Sequence, residues 1–197
     1  MNVYIRQNEL QNAYIGEYKG PIVCDFTQSD YWFTIYSAHS WVTYGRDSNW
    51  FFGYNPTSSY KAISWSIPSN IYSKWNFKKV ELEIKGTEAW CWWWISYNLD
   101  TDYSRVWWQG NMKDWNSPVS TTTLDNYPPA NTVFTFTIDL ENKVQFYSVE
   151  PTKTLALSDS DVSTILNYWS NGSLWIVAMI MNQSGTYTYI QKATFYF

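Results

Sequence analysis

Charged side chains are scarce in this sequence, and their scarcity excludes one large class of partner. Only 15% of the 197 residues are Asp, Glu, Lys or Arg, whereas globular proteins carry about 25%. The 13 Lys and Arg residues form no cluster and the net charge is −4. Sequence-independent binding to the phosphates of nucleic acids needs a basic surface. We therefore expect no nucleic acid partner.

Long apolar runs and cysteines are also few. No apolar run reaches the roughly 18 residues of a membrane-spanning helix, and residues 1–10 lack the apolar core of a signal peptide. We expect no membrane span, and no export signal within the chain as given. The two cysteines, Cys24 and Cys91, form neither a disulfide framework nor a metal site, so we expect no metal and no other cofactor. A single bridge between them is one alternative; a buried thiol at Cys91 is the other.

Aromatic residues are in excess instead. They make up 21% of the chain, with 14 Trp and 17 Tyr, and six of the tryptophans fall within residues 90–110. There the runs Trp90–Tyr97 and Tyr103–Gln109 flank a polar connection, which is typical of two neighbouring strands. Alternate strand residues share a face, so both faces of this stretch carry large apolar groups. One face can lie in a core, and the other needs a second layer or a ligand.

Alternation of apolar and polar residues predicts an all-β fold. In Lys78–Lys85 the apolar residues occupy every second position, and Val133–Leu140 alternates equally well. Leu174–Met181 is apolar on both faces, as expected of a strand in the middle of a sheet. Shorter strands are predicted at Ile22–Phe26, Tyr31–Tyr36, Trp41–Tyr44, Trp50–Tyr54, Tyr60–Ile67, Val144–Val149, Tyr187–Ile190 and Lys192–Phe197.

One short helix is predicted near residues 159–169. Ser158 and Asp161 resemble a capping box, and the apolar positions that follow recur at helical spacing until Asn171-Gly172. Many strands and one helix predict a two-sheet antiparallel β-sandwich of jelly-roll type, formed by a single domain over residues 1–197.

Few side chains suggest catalysis. Glu81 and Glu83 lie on one strand face, about 6–7 Å apart, which could suit sugar hydrolysis, but lysines on the same face favour a solvated, charge-laced surface. Asp100 and Asp102 fit a turn, where Asp commonly bonds its own backbone. His39, the only histidine, has no nucleophile near it in sequence, which favours a structural role.

The aromatic cluster suggests sugar binding. The apolar C–H faces of a pyranose ring stack on Trp or Tyr, and its hydroxyls need amide or hydroxyl partners. The cluster offers both kinds of group close together. We predict a carbohydrate-binding surface made of Trp92, Trp94, Trp107, Trp108, Gln109 and Asn98.

Three segments resemble the family 12 glycoside hydrolases, which are jelly-roll endo-β-glucanases with a single helix. Residues 102–108 are similar to the strand that bears the nucleophile of that family. Residues 165–169 resemble its helix, and Met181–Tyr187 resembles the segment that carries the acid/base Glu. The resemblance implies a β-sandwich with a binding site for β-glucans.

The chain departs from that family at both catalytic positions. Ser104 stands at the nucleophile position, and the acid/base segment reads Asn182-Gln183-Ser184-Gly185-Thr186, without a carboxylate. Retaining hydrolysis needs two carboxyl groups about 5–5.5 Å apart. The resemblance therefore implies the scaffold of a glucanase without its catalytic residues.

Three functions follow, in descending order of preference. The first is a non-catalytic jelly-roll protein that binds a glycan or polysaccharide. The second is a structural subunit of a virion or extracellular assembly, whose aromatic faces are buried against other subunits or copies of itself. The third is an active β-glucan hydrolase that uses Glu81, Glu83 or Asp102. All three favour an extracellular or virion-surface location.

Overall fold

A computed structural model describes residues 20–38, 41–47, 51–58, 61–72, 76–88, 92–97, 130–149, 154–180 and 184–197. Over these residues the chain forms twelve strands and two helices. In chain order they are β1 (Ile22–Asp25), β2 (Thr34–Ala38), β3 (Thr43–Arg46), β4 (Phe51–Asn55), β5 (Lys61–Ser66), α1 (Ser69–Tyr72), β6 (Lys79–Gly86), β7 (Trp92–Tyr97), β8 (Phe134–Asp139), β9 (Val144–Tyr147), β10 (Leu155–Ala156), α2 (Asp159–Ser170), β11 (Leu174–Ile180) and β12 (Thr186–Tyr196).

The strands form two antiparallel sheets around one core, which confirms the predicted β-sandwich. The larger sheet has the order β10-β9-β8-β6-β12-β4-β3, with β1 also paired to β12, and the smaller has the order β2-β5-β11-β7. β11 lies between β5 and β7, as its apolar character on both faces predicted. Side chains from both sheets meet in the core, where the rings of Phe51 and Trp65 lie 6.0 Å apart.

In strand β6, apolar and charged residues alternate between a buried and a partly exposed face, as the sequence predicted. Val80, Leu82 and Ile84 are at most 1% exposed, while Lys79 and the other charged residues between them lie on the outer, partly exposed face. Burying three branched aliphatic side chains contributes about 1.5–3 kcal/mol each. The strand therefore has a fixed register against β12 on one side and β8 on the other.

The C-terminal strand corrects one prediction. The sequence predicted separate strands at Tyr187–Ile190 and Lys192–Phe197, whereas β12 is continuous and shifts register in a bulge between Ile190 and Lys192. On one side β12 pairs with β4 before the bulge and with β1 after it. At the bulge, the carbonyl of Gln191 accepts the Phe26 N–H at 2.8 Å. An extra residue therefore lets one strand change neighbours without ending.

Residues with a left-handed backbone conformation explain why two strands begin later in the chain than predicted. Tyr31, Trp32 and Trp41 have φ values of 50°, 61° and 72°, which lie outside the extended region of a regular strand. Strand β2 therefore begins at Thr34 rather than Tyr31, and β3 begins at Thr43 rather than Trp41. Aromatic residues favour strands on average, so local composition did not predict these turns.

Helix α2 matches its prediction, and α1 was missed. Ser158 accepts the Asp161 N–H at 3.1 Å and Asp161 accepts the Ser158 N–H at 2.7 Å, which completes the capping box. The buried residues Ile165 and Trp169 face the core. Helix α1 is a single turn after Pro68, too short to show a period.

Removal of this cap gives a direct test of the helix start. We expect Ser158→Ala to lower the free energy of unfolding by about 1 kcal/mol, because the Asp161 N–H loses its acceptor. Ser163→Ala, at an exposed position of the same helix, is the control and should be neutral or slightly stabilising. Urea denaturation of both variants measures these changes. Equal stability of Ser158→Ala and Ser163→Ala would contradict the role of the cap.

Candidate functional site: an aromatic face of the larger sheet

The structure describes only part of the predicted sugar-binding surface. Trp92 and Trp94 lie on β7, where their register partners are Met179 and Val177. Asn98, Trp107, Trp108 and Gln109 lie outside the described residues, as do Cys91, His39, Asp100, Asp102, Ser104, Asn182 and Gln183. The predicted surface therefore stays a prediction.

A different group of aromatic side chains comes together on the outer face of the larger sheet. Phe52 and Tyr54 of β4 lie beside Tyr187 and Tyr189 of β12, and all four are partly exposed. Tyr187 is the register partner of Tyr54, and Tyr189 is the partner of Phe52. The residues between them in each strand are buried on the opposite face. We call these four residues the aromatic row.

The rings of the aromatic row are in mutual contact. The centroids of Tyr54 and Tyr187 lie 4.5 Å apart, and those of Tyr187 and Tyr189 lie 5.7 Å apart with planes only 10° from parallel. Phe52 lies 6.0 Å from Tyr187. Cross-strand aromatic pairs of this kind stabilise a sheet by about 0.2–1 kcal/mol each. They also fix the rings as one apolar platform.

Strand β3 lies at one border of the platform, next to Phe52. Gly45 is the register partner of Phe52, and a Cβ added at Gly45 would lie 3.4 Å from the Phe52 ring. Phe52 therefore lies close to the backbone of β3, and a Cβ at position 45 would meet its ring at an ordinary contact distance. β3 is the last strand of this sheet within the described residues.

Charged residues continue the same face beyond the row. The Lys85 ammonium lies 5.1 Å from the centroid of Tyr189, a cation–π distance. Next to it, Lys192 forms an ion pair with Glu83. Further along, Glu81 pairs with Lys79 at 2.8 Å and accepts the Tyr196 hydroxyl at 2.8 Å. The face thus changes from aromatic to polar across β12 and β6.

These contacts bear on the candidate carboxylates Glu81 and Glu83. Each has a lysine partner on the same face of the sheet. The two carboxyl groups of a glycosidase must instead face the scissile bond of the sugar. The arrangement fits the charge-laced surface that the sequence favoured for this pair.

Two tyrosines on this face have raised pKa values. Burial raises the pKa of Tyr189, and the neighbouring Tyr187 and Asp47 add to the shift. Burial raises the pKa of Tyr196 to about 12, helped by its hydrogen bond to Glu81 and by the charge of that carboxylate. Both phenols are therefore neutral hydrogen-bonding groups at neutral pH.

The raised pKa of Tyr196 predicts a loss of stability at alkaline pH. The unfolded value is about 10, so its stabilising contribution is complete below pH 10 and is lost as pH rises towards 12. Between those limits the wild type should lose about 1 kcal/mol relative to Tyr196→Phe, a modest value because solvent screens a partly exposed group. Denaturant unfolding of both proteins at several pH values tests this; a constant difference would contradict it.

The sequence could not have revealed the aromatic row. Tyr54 and Tyr187 each lie in a predicted strand, but they are separated by more than a hundred residues. Their contact depends on the pairing of β4 with β12, which no local pattern encodes. The dense tryptophan cluster drew attention to a different part of the chain.

Other features of the described residues carry no site. Cys24 is a free, buried thiol, and burial raises its pKa well above the usual range. Among the described residues no three His, Cys, Asp or Glu side chains are grouped to hold a metal ion. Neither helix in this part of the chain is long and apolar enough to cross a membrane.

Comparison with known proteins adds no further constraint. No protein-family model, curated protein or solved structure matches this chain.

Proposed function

We propose that this protein is a non-catalytic, glycan-binding β-sandwich, and that the aromatic row is a binding surface for polysaccharide. The observation that carries the proposal is the platform of four partly exposed, mutually packed rings on the outer face of the larger sheet. Aromatic residues on an open sheet face are costly to leave in water, so a ligand that covers them gains apolar burial.

The chemistry of the row suits a sugar chain. Sugar rings present apolar C–H faces to aromatic planes, and the Tyr hydroxyls and Lys85 supply hydrogen bonds at the border of the platform. The neighbouring charges are paired within the protein, Lys192 with Glu83 and Lys79 with Glu81. The surface therefore presents aromatic rings rather than a field of one sign.

The tryptophan cluster is the second part of the proposal. Trp92, Trp94, Trp107 and Trp108 would stack on sugar rings, with Gln109 and Asn98 as hydrogen-bonding groups. This surface rests on the sequence pattern alone. The row and the cluster can be tested separately, because their residues do not overlap.

Substitution of one tyrosine tests the row. Tyr187 contacts both Tyr54 and Tyr189, so Tyr187→Ala should weaken binding of soluble β-glucan oligosaccharides at least about tenfold, or about 1.4 kcal/mol. Isothermal titration calorimetry measures the affinity. Tyr44→Ala removes an exposed tyrosine outside the row and is the matched control. Wild-type affinity in Tyr187→Ala, with its circular dichroism unchanged, would remove the row from the proposal.

A specific observation also favours the structural-subunit alternative. Trp41 is 77% exposed and Tyr44 is 48% exposed, and both lie at or next to β3, the last strand of the described sheet. Exposed strand edges are templates for pairing with another chain. Light scattering at increasing concentration distinguishes the two functions, since an assembly subunit gives a stable oligomer and a glycan binder need not.

Hydrolysis at Glu81 and Glu83 is the function that the geometry favours least. Both carboxylates are occupied by lysine partners, and Glu81 also binds Tyr196. Release of reducing sugar from β-glucans would support hydrolysis, and loss of that release in Glu83→Gln would place the catalytic carboxylate at Glu83.

A glycan-binding protein of this kind would act outside the cell or on a virion surface.

A further inference from the structure

We propose that Tyr54 and Tyr187 form a pre-positioned tyrosine pair that a one-electron oxidant joins into dityrosine. The product would be a covalent bridge between β4 and β12 on the outer face of the larger sheet. This inference concerns the same rings as the glycan proposal but does not depend on it.

Proximity and strand register carry the inference. The two residues are direct register partners on adjacent antiparallel strands, and their ring centroids are 4.5 Å apart with planes inclined by 34°. Directly opposed residues have Cβ atoms about 4.5–5.5 Å apart. Both side chains thus start side by side on one face, and a small rotation of the rings brings their edges together.

A second tyrosine contact on the same face is less suited to the reaction. Tyr187 and Tyr189 are stacked, with centroids 5.7 Å apart and planes 10° from parallel. They stand two positions apart on one strand, so their Cβ atoms are held about 7 Å apart by the strand rise. A ring–ring bond between them would need both side chains to lean towards each other against the strand geometry.

The chemistry balances with a peroxidase and hydrogen peroxide as the oxidant. Each phenol loses one electron and its hydroxyl proton, giving two tyrosyl radicals, while one peroxide molecule is reduced to two water molecules. The radicals couple through a carbon–carbon bond between positions ortho to the oxygens. The hydrogens on those carbons then move to the oxygens, which restores two phenols. The net change is the loss of two hydrogen atoms from the protein.

Access for the oxidant is provided by the open face. Tyr54 and Tyr187 are both partly exposed, so an electron can leave either ring towards the surface. Phe134 and Tyr147 are also in ring contact, but both are buried away from an oxidant. Phe134 also has no phenol group to oxidise. The tyrosine content of the chain is high, so the prediction concerns which pair couples rather than whether tyrosine can be oxidised.

Mass spectrometry of the oxidised monomer tests the proposal. Purified full-length protein is treated with peroxidase and hydrogen peroxide at low concentration, and the monomer is digested. We expect one dominant cross-linked species joining the peptides that contain Tyr54 and Tyr187, with fragmentation placing the bond at those residues. The oxidised monomer should also unfold at a higher urea concentration, because the bridge restricts the unfolded chain.

Two conservative variants make the result decisive. Tyr54→Phe keeps the ring but lacks the phenol, so the cross-linked species should be lost. Tyr44→Phe alters an exposed tyrosine that lies outside the aromatic row and should leave the species unchanged. The proposal is overturned if the dominant intramolecular bridge joins other tyrosines, if it survives in Tyr54→Phe, or if no bridge forms under conditions that couple free tyrosine.

Discussion

Replacing Trp169 with alanine should lower the free energy of unfolding by about 3–5 kcal/mol, the range for deleting a buried large aromatic side chain. Trp169 is 1% exposed on the inner side of α2. Its ring lies 4.7 Å from Phe77, 5.6 Å from Phe195 and 6.3 Å from Tyr72. It therefore joins α2, α1 and β12 through one side chain, and the cavity left behind cannot collapse without moving all three.

An exposed tryptophan provides the matched control. Trp41 is 77% exposed, so Trp41→Ala should change stability by less than about 0.5 kcal/mol. Urea denaturation followed by circular dichroism gives both values. Similar losses in the two variants would mean that Trp169 does not anchor the helix.

Gly172→Ala should destabilise the protein by about 3 kcal/mol, from backbone strain and steric overlap together. Gly172 follows α2 with φ +66°, and an added Cβ would lie 2.2 Å from the Tyr72 ring. The Gly172 N–H donates to the Trp169 carbonyl and the Ser173 N–H donates to the Tyr168 carbonyl. These two bonds form a Schellman motif, whose left-handed residue is usually glycine.

Gly185 separates the two contributions. It also has positive φ, at +91°, but a Cβ added there would meet nothing within 4 Å. Gly185→Ala should therefore cost only the backbone strain, about 1–2 kcal/mol. The difference between the two variants measures the overlap with Tyr72. Equal losses, by denaturant unfolding, would show that the Tyr72 ring moves aside freely.

The parts of the fold that the sequence predicted are those encoded by nearby residues. Alternation in Lys78–Lys85 predicted β6 because its aliphatic and charged residues segregate to two faces at every second position. Ser158 and Asp161 predicted the start of α2, since a capping box is a contact between residues three apart. Asn171-Gly172 predicted its end for the same reason.

The parts that the sequence missed depend on distant contacts or on unusual backbone. The bulge between Ile190 and Lys192 shifts the register of β12 against β6 at the point where β12 exchanges β4 for β1, and none of these partners is near it in the chain. At that junction the exposed Arg46 guanidinium donates to the carbonyls of Phe26 and Thr27 at 2.8 and 2.9 Å. Residues 45 and 46, which follow the predicted strand Trp41–Tyr44, belong to β3.

The candidate site follows the same division. An excess of aromatic residues was evident from composition. Which rings meet on one face was not, because the aromatic row joins β4 to β12 across the length of the chain. Composition predicted more aromatic rings than the core holds, and strand pairing determines which of them meet on the larger sheet.

The most direct test of the proposed binding surface is an NMR titration. The protein is isotopically labelled at its aromatic side chains and titrated with a soluble β-glucan oligosaccharide. We expect the ring resonances of Tyr54, Tyr187 and Tyr189 to shift together along one saturable curve, while those of Tyr44 stay unchanged. Shifts confined to other aromatic rings, or a spectrum that does not change at saturating sugar, would contradict it.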